Sequence, residues 1–137
     1  MENSFRFPKS EKLCGKLRIK HLYDNGRHFT CYPLRVTYLM QPLGASDSSS
    51  VPSAPAALVW ASKSLFKHAV VRNRLRRQMR EAYRLHAATL RQFCQTNGIG
   101  LQVAFNYIAK EQIAYARIEE AMRKAVLKLA AAETYKE

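Results

Sequence analysis

The spacing of apolar residues changes period several times along the chain, and each change marks an element. Leu13, Leu17, Ile19, Leu22 and Tyr23 fall at helical spacing and predict a short amphipathic helix over 16–24. The Asn25-Gly26 pair ends it, since both residues tolerate a positive φ. From Leu34 the period drops to two: Leu34, Val36, Tyr38 and Met40 alternate with Arg35, Thr37 and Leu39, which predicts a strand. Residues 41–56, QPLGASDSSSVPSAPA, are too polar and too broken by proline to pack, and read as a flexible loop. The apolar ALVWAS segment after it predicts a strand returning beside the first as a hairpin. The pattern assigns no element to 27–33.

From Ala69 the period is helical again. Val71, Leu75, Met79, Ala82 and His86 share one face of a helix that runs to Leu90 or Cys94 and stops at Thr96-Asn97-Gly98. Residues 99–108, IGLQVAFNYI, have the branched and aromatic content of a strand. Ile118, Met122, Ala125, Val126 and Leu129 mark a last helix over 114–132. There is no internal repeat. The order helix-strand-strand-helix-strand-helix predicts an α+β fold, one domain over 1–137, a sheet with helices packed on it. A chain of 137 residues buries roughly two-thirds of its unfolded surface, so it needs neither disulfides nor a structural metal.

Charge is what sets the chain apart. Its 23 Lys and Arg against 10 Asp and Glu give a net charge of +13. Residues 63–91 alone hold nine basic residues against Glu81 and supply +8 of it. A surplus gathered in one segment points to a polyanion-binding surface, because counterions released from the polyanion favour the contact. No signal-peptide core and no run of 18 apolar residues is present, and Cys14, Cys31 and Cys94 fit neither a disulfide framework nor a zinc motif. The expectation is a cytoplasmic protein with reduced thiols and no membrane contact, whose polyanion is nucleic acid.

Within the basic segment, Arg72, Arg76, Arg80 and Arg84 step by four and climb one side of the predicted helix, with Asn73 and Arg77 in the same sector. Arg suits this role because its planar fork bonds two phosphate oxygens at once. A solvated helix face usually mixes Glu with Lys for i,i+4 pairing. This one has six arginines and one acid between Arg72 and Arg84, which favours nucleic-acid binding over mere solvation.

The chain shows no chemistry of its own. Its aspartates are Asp24, beside a turn, and Asp47, in the flexible loop; five of its eight glutamates lie in the C-terminal tail. That is no carboxylate cluster for Mg²⁺. His21, His28, His68 and His86 have no motif spacing, and neither phosphate-binding glycine motif occurs.

The run AVVRNRLRRQMREAYR over 69–84, preceded by Ser62-Lys63, resembles the signature of the protein subunit of bacterial ribonuclease P. Ser62-Lys63, Ala69-Val70, Arg72-Asn73-Arg74, Arg76-Arg77 and Arg80-Glu81-Ala82-Tyr83 fit that family's pattern position by position. The resemblance implies a ribonucleoprotein endonuclease that removes the 5′ leader from precursor tRNA. Its RNA subunit is the catalyst and binds the Mg²⁺. It also implies a fold with a left-handed crossover, contrary to the general rule. Carried over by position, Arg72, Asn73, Arg74, Arg76, Arg77 and Arg80 contact the catalytic RNA, and Lys63, Lys67 and Arg84 extend that surface. The single-stranded leader lies in a cleft lined by Ile19 and Tyr23 of the first helix and by Thr37 or Tyr38 of the strand. The partners implied are the catalytic RNA subunit and precursor tRNA, with no obligate protein partner.

Three departures stand out. The segment 64–68 lacks the family's glycine and has one extra residue, Ile19 replaces an aromatic, and 41–56 is long for a hairpin loop. Two rival readings share the charge. A DNA-binding regulator would need a short helix and turn before the arginine helix, where ALVWAS reads as a strand. A ribosomal or other basic nucleic-acid-binding protein is separated from the first reading by the Arg-Asn-Arg block.

Overall fold

A computed structural model describes residues 16–42 and 55–131. They form α1 (Lys16–Asn25), β1 (Arg27–Cys31), β2 (Leu34–Pro42), β3 (Ala56–Ala61), α2 (Ala69–Asn97), β4 (Ile99–Tyr107) and α3 (Tyr115–Ala131). The four strands make one sheet in the order β1-β2-β4-β3. β1 pairs β2 and β2 pairs β4 antiparallel, whereas β3 and β4 run parallel.

The hairpin expected between β2 and β3 does not form, because β4 lies between them. The physical reason is in the connection between β3 and β4. Parallel neighbours need a crossover of a dozen or more residues, and α2, with 29 residues and a length of about 43 Å, is that crossover. β4 takes the inner position because it is buried along most of its length, Ile99, Leu101, Val103 and Phe105 towards the main core and Ala104 towards α1. β1 occupies a stretch to which the hydrophobic pattern assigned nothing. Its RHFTC sequence is mostly exposed and is ordered by pairing with β2, from Arg27↔Tyr38 to Cys31↔Leu34. The expected loop is also shorter than 41–56. Gln41 and Pro42 pair with Gly100 and Ile99, and Ala56 pairs with Gln102. Residues 43–54 lie outside the described residues.

Strand alternation sorts the sheet into two unequal faces. One carries Leu34, Val36, Tyr38, Val59, Val103, Phe105 and Tyr107 against Leu75, Met79, Tyr83 and Leu90 of α2 and Ile118, Met122, Val126 and Leu129 of α3. Each large apolar side chain buried there contributes about 1.5–3 kcal/mol. The other face holds a small cluster of Leu22, Ala56 and Ala104, with Ile19, Leu39 and Leu58 against it. Among the described residues, the short helix α1 is the one element over this second face, and it covers part of it.

Two glycines fix chain reversals for different reasons. Gly98 has φ 63° and caps α2 with its N–H on the Cys94 carbonyl, a conformation that favours glycine. Gly26 is not in the left-handed region. It is needed for space, since a Cβ there would lie 2.5 Å from the Leu22 carbonyl oxygen and 2.7 Å from that of Tyr38. After β4, the Tyr107 hydroxyl donates to the Glu111 carbonyl at 2.5 Å and accepts from the Ile113 N–H at 2.8 Å, tying the approach to α3. Burial raises the pKa of that hydroxyl, so it stays neutral.

Gly26→Ala is expected to force α1 off β2 and to cost about 1–3 kcal/mol, the usual range for overpacking. Urea unfolding measures it. A variant as stable as the parent shows that the backbone yields without strain.

Candidate nucleic-acid interface

The uncovered part of the second sheet face and the side of α1 enclose an open cleft of about 770 Å³. Strand register sets its floor. Thr30 faces Arg35, Arg35 faces Asn106, and Asn106 faces Trp60, so these four form one row across the sheet. The adjoining row is His28, Thr37, Ala104 and Leu58. Tyr23 reaches down from α1, and its hydroxyl exchanges hydrogen bonds with the Asn106 side-chain amide. Nδ2 donates to the hydroxyl at 3.0 Å, and the hydroxyl lies 3.3 Å from Oδ1 as its acceptor. This contact fixes the phenol ring while leaving 43% of the residue exposed. Arg35 and His28 bring basic side chains to the lining, and among the described residues no carboxylate lines the cleft. The cleft thus offers exposed aromatic surface beside a cation, which suits a single-stranded polyanion with stackable bases.

Of the two strand positions expected in the cleft, Thr37 lines it. Tyr38 does not; it turns to the opposite face and packs on Phe29 at 5.8 Å between ring centroids. Alternation allows only one of two successive residues on a face. Ile19 is both cleft wall and part of the small cluster beneath α1. Trp60, Arg35 and Asn106 join the site, although the sequence pattern does not single them out. The readable signal is Trp60 itself, a tryptophan between Val59 and Ala61. Its face depends on a pairing partner that local alternation does not identify.

On α2 the apolar face is Leu75, Met79, Ala82, Tyr83, Ala87, Leu90 and Cys94. The arginines beside it do not form one uniform row of free forks, as expected, but divide by their local partners. Arg72 donates from Nη1 to the carbonyls of Phe66 at 2.8 Å and Lys67 at 2.9 Å. It thereby pins the segment that lacks the family's glycine. His68, the N-cap residue, makes no side-chain cap bond, so Arg72 secures the segment leading into α2. Arg74 reaches Gln112 at 3.4 Å. Arg76 donates from Nη2 to Asn73 Oδ1, and its guanidinium lies 5.7 Å from the Trp60 ring centroid. Arg84 turns to Glu81 and holds it with both arms of the fork, at 3.1 and 2.5 Å. That hydrogen bonding holds the Glu81 carboxyl below its ordinary pKa and raises that of Arg84. Arg77 and Arg80 are exposed and make no hydrogen bond or ion pair among the described residues; the same holds for the side chains of Lys63 and Lys67.

Among the described residues no three His, Cys, Asp or Glu side chains come together to hold a metal ion. No helix among them is long and apolar enough to cross a membrane.

Comparison with known proteins matches residues 7–130 to the family model described as Ribonuclease P. The chain is 35% identical over 127 residues to the ribonuclease P protein component of Porphyromonas gingivalis, covering 93% of this chain and 88% of that protein. It is 44% identical over 111 residues to the ribonuclease P protein component of Chlorobium phaeobacteroides, covering 77% and 73%. In fold it is similar to the Staphylococcus aureus RNase P protein, with TM-score 0.62, 19% identity and coverage of 90% and 97%. A mutant of that protein with defective mRNA degradation activity gives TM-score 0.64 at 18% identity, covering 89% of each chain.

Replacing Arg77 and Arg80 together by Ala is expected to flatten the salt dependence of RNA binding by about 0.7–0.9 for each phosphate that is no longer neutralised. Arg84→Ala is expected to change it less, since that fork is already engaged. Equal slopes for both variants and the parent would remove this face of α2 from the interface.

Proposed function

The chain belongs to the ribonuclease P protein family, whose members are components of a tRNA-processing endoribonuclease with an RNA subunit, and from that premise we propose how its two surfaces divide the work. The basic side of α2, with Arg77 and Arg80 free and Lys63 and Lys67 in the segment that leads into the helix, binds the catalytic RNA. The cleft under α1 receives the single-stranded 5′ leader of precursor tRNA. Asn73, Arg74 and Arg76 lie at the rim between the two. Arg72 and Arg84 hold the scaffold, through the 66–67 carbonyls and Glu81 respectively, and shape the field rather than grip phosphate. The RNA subunit cuts the phosphodiester, and the protein increases its hold on the leader-bearing substrate. The compartment in this reading is the cytoplasm.

The observation that carries this reading is the meeting of the two surfaces at one rim. An arginine-bearing helix begins at the edge of a cleft whose described lining contains aromatic rings and no acid. Mg²⁺ belongs with the RNA in this reading, because the donor set of the described residues does not fit it. The acids of α2 and α3 are spent on Arg84, Arg123 and Lys124 or lie beside His86, spread along the helices. The protein's part is electrostatic and positional. Its cations lower the repulsion between two RNAs, and its cleft orients one strand.

Two outcomes follow. The purified chain alone is expected to cleave no precursor, whereas with its RNA subunit it permits cleavage at Mg²⁺ concentrations too low for the RNA alone. Equal cleavage by the RNA without the protein under those conditions contradicts the assigned role. Tyr23→Ala is expected to weaken the binding of leader-bearing precursor by about 1–3 kcal/mol, one base stack, and to leave mature tRNA affinity unchanged. Parallel losses for both ligands, read in the same titration, would make Tyr23 a packing residue only.

A further inference from the structure

We propose that Trp60 is the second stacking wall of the cleft, taking one unpaired nucleotide, and that the Arg76 guanidinium over its ring couples the filling of the cleft to the grip of α2 on RNA. The inference rests on the reading that the cleft takes single-stranded RNA, and goes beyond it in naming the wall and the link.

Four observations support it. Trp60 lies on the edge strand β3 with 49% of its surface exposed, while its neighbours Val59 and Ala61 are buried on the other face. Its ring meets the Arg76 guanidinium. An exposed cation–π contact is weak and does not account for an indole held half in water. Second, the Cα partner of Trp60 is Asn106, the same residue whose amide fixes Tyr23. Neighbouring strands lie about 4.8 Å apart, so phenol and indole flank one amide. Third, Arg35 stands on the far side of Asn106 in the same row. The row therefore runs from a cation for phosphate, through an amide, to a ring for a base. Fourth, Ile19 offers no π-face, so the indole and the Tyr23 phenol are the large exposed rings in the described lining of the cleft, with the smaller His28 imidazole beside them.

The link to α2 follows from how Arg76 is held. Its Nη2 donates to Asn73 one turn back on the same helix, and its guanidinium lies over the indole. It is fixed between the basic helix and the cleft wall. A phosphate taken by Arg76 alters the surroundings of the indole, and a base stacked on the indole restricts Arg76. Either ligand is thus felt on the other surface.

Trp60 is the sole tryptophan of the chain, so its fluorescence reports on this wall alone. Titrating the full chain with an unstructured RNA of about eight nucleotides is expected to quench that fluorescence; an unchanged spectrum at saturating RNA overturns the proposal. In the holoenzyme, Trp60→Leu keeps apolar bulk without the indole. It is expected to weaken leader-bearing precursor about tenfold, the loss of one base–aromatic stack, with mature tRNA unaffected and Trp60→Phe restoring most of the loss. Parental affinity in Trp60→Leu, or an equal loss for both ligands, defeats the stacking role. If Tyr23→Ala weakens leader binding and Trp60→Leu does not, the cleft reading stands and this proposal fails. If neither variant does, the cleft reading itself fails. Combining Trp60→Leu with Arg76→Ala is expected to cost less than the product of the two single losses. Strict multiplication of those losses shows that the two surfaces are not coupled.

Discussion

The parallel pairing of β3 with β4 is the constraint from which the rest of the molecule follows. Two parallel neighbours cannot be joined by a turn. The chain must leave the sheet after Ala61, run the length of α2 and come back at Ile99. That requirement makes α2 long, lays its apolar side on the sheet and puts its first turns at the outer edge of β3. The basic helix therefore begins at the rim of the cleft, and a guanidinium on α2 can lie over an indole on β3.

Unequal coverage of the sheet is the second consequence. α2 and α3 together close one face, and their packing with β2 and β4 is the main core. Among the described residues the opposite face has only the 10 residues of α1, anchored by Leu22. Close approach at Gly26 holds α1 to β2, while the reciprocal Tyr23–Asn106 contact holds it to β4. Among the described residues, what is left uncovered is an open cleft of about 770 Å³ with no carboxylate in its lining. The opening is thus what remains when, among the described residues, one short helix is all that packs on a four-stranded face.

The crowding of like charge on α2 is relieved unevenly, and the unevenness is informative. Arg72 spends its fork on two carbonyls, Arg76 on an amide and a ring, and Arg84 on Glu81. Surface pairs of this kind contribute at most about 1 kcal/mol each, so they orient the side chains more than they stabilise the fold. Arg77 and Arg80 keep their full charge towards solvent. Their repulsion is an unrelieved cost in the free chain, of the kind that a bound polyanion would offset.

Which segments are helix, three of the four described strands and where the positive charge gathers can be read from the sequence, because each depends on residues near one another in the chain. The 3.6 period of Leu75, Met79 and Ala82, the stop at Gly98 and the Arg72–Arg84 run belong to this class. β1 is not legible there, since its polar RHFTC has strand geometry only through its bonds to β2. The expected β2–β3 hairpin fails for a related reason: local alternation shows that a strand exists and leaves its neighbour open. Tyr38 and Thr37 cannot be separated until the register with β4 fixes which face each one takes. Trp60, Asn106 and Arg35 become a site only when three strands distant in sequence bring them into one row. Short-range preferences thus determined the elements and the charge. Pairing between distant strands, driven by burial of β4 on both faces, alone decided the cleft.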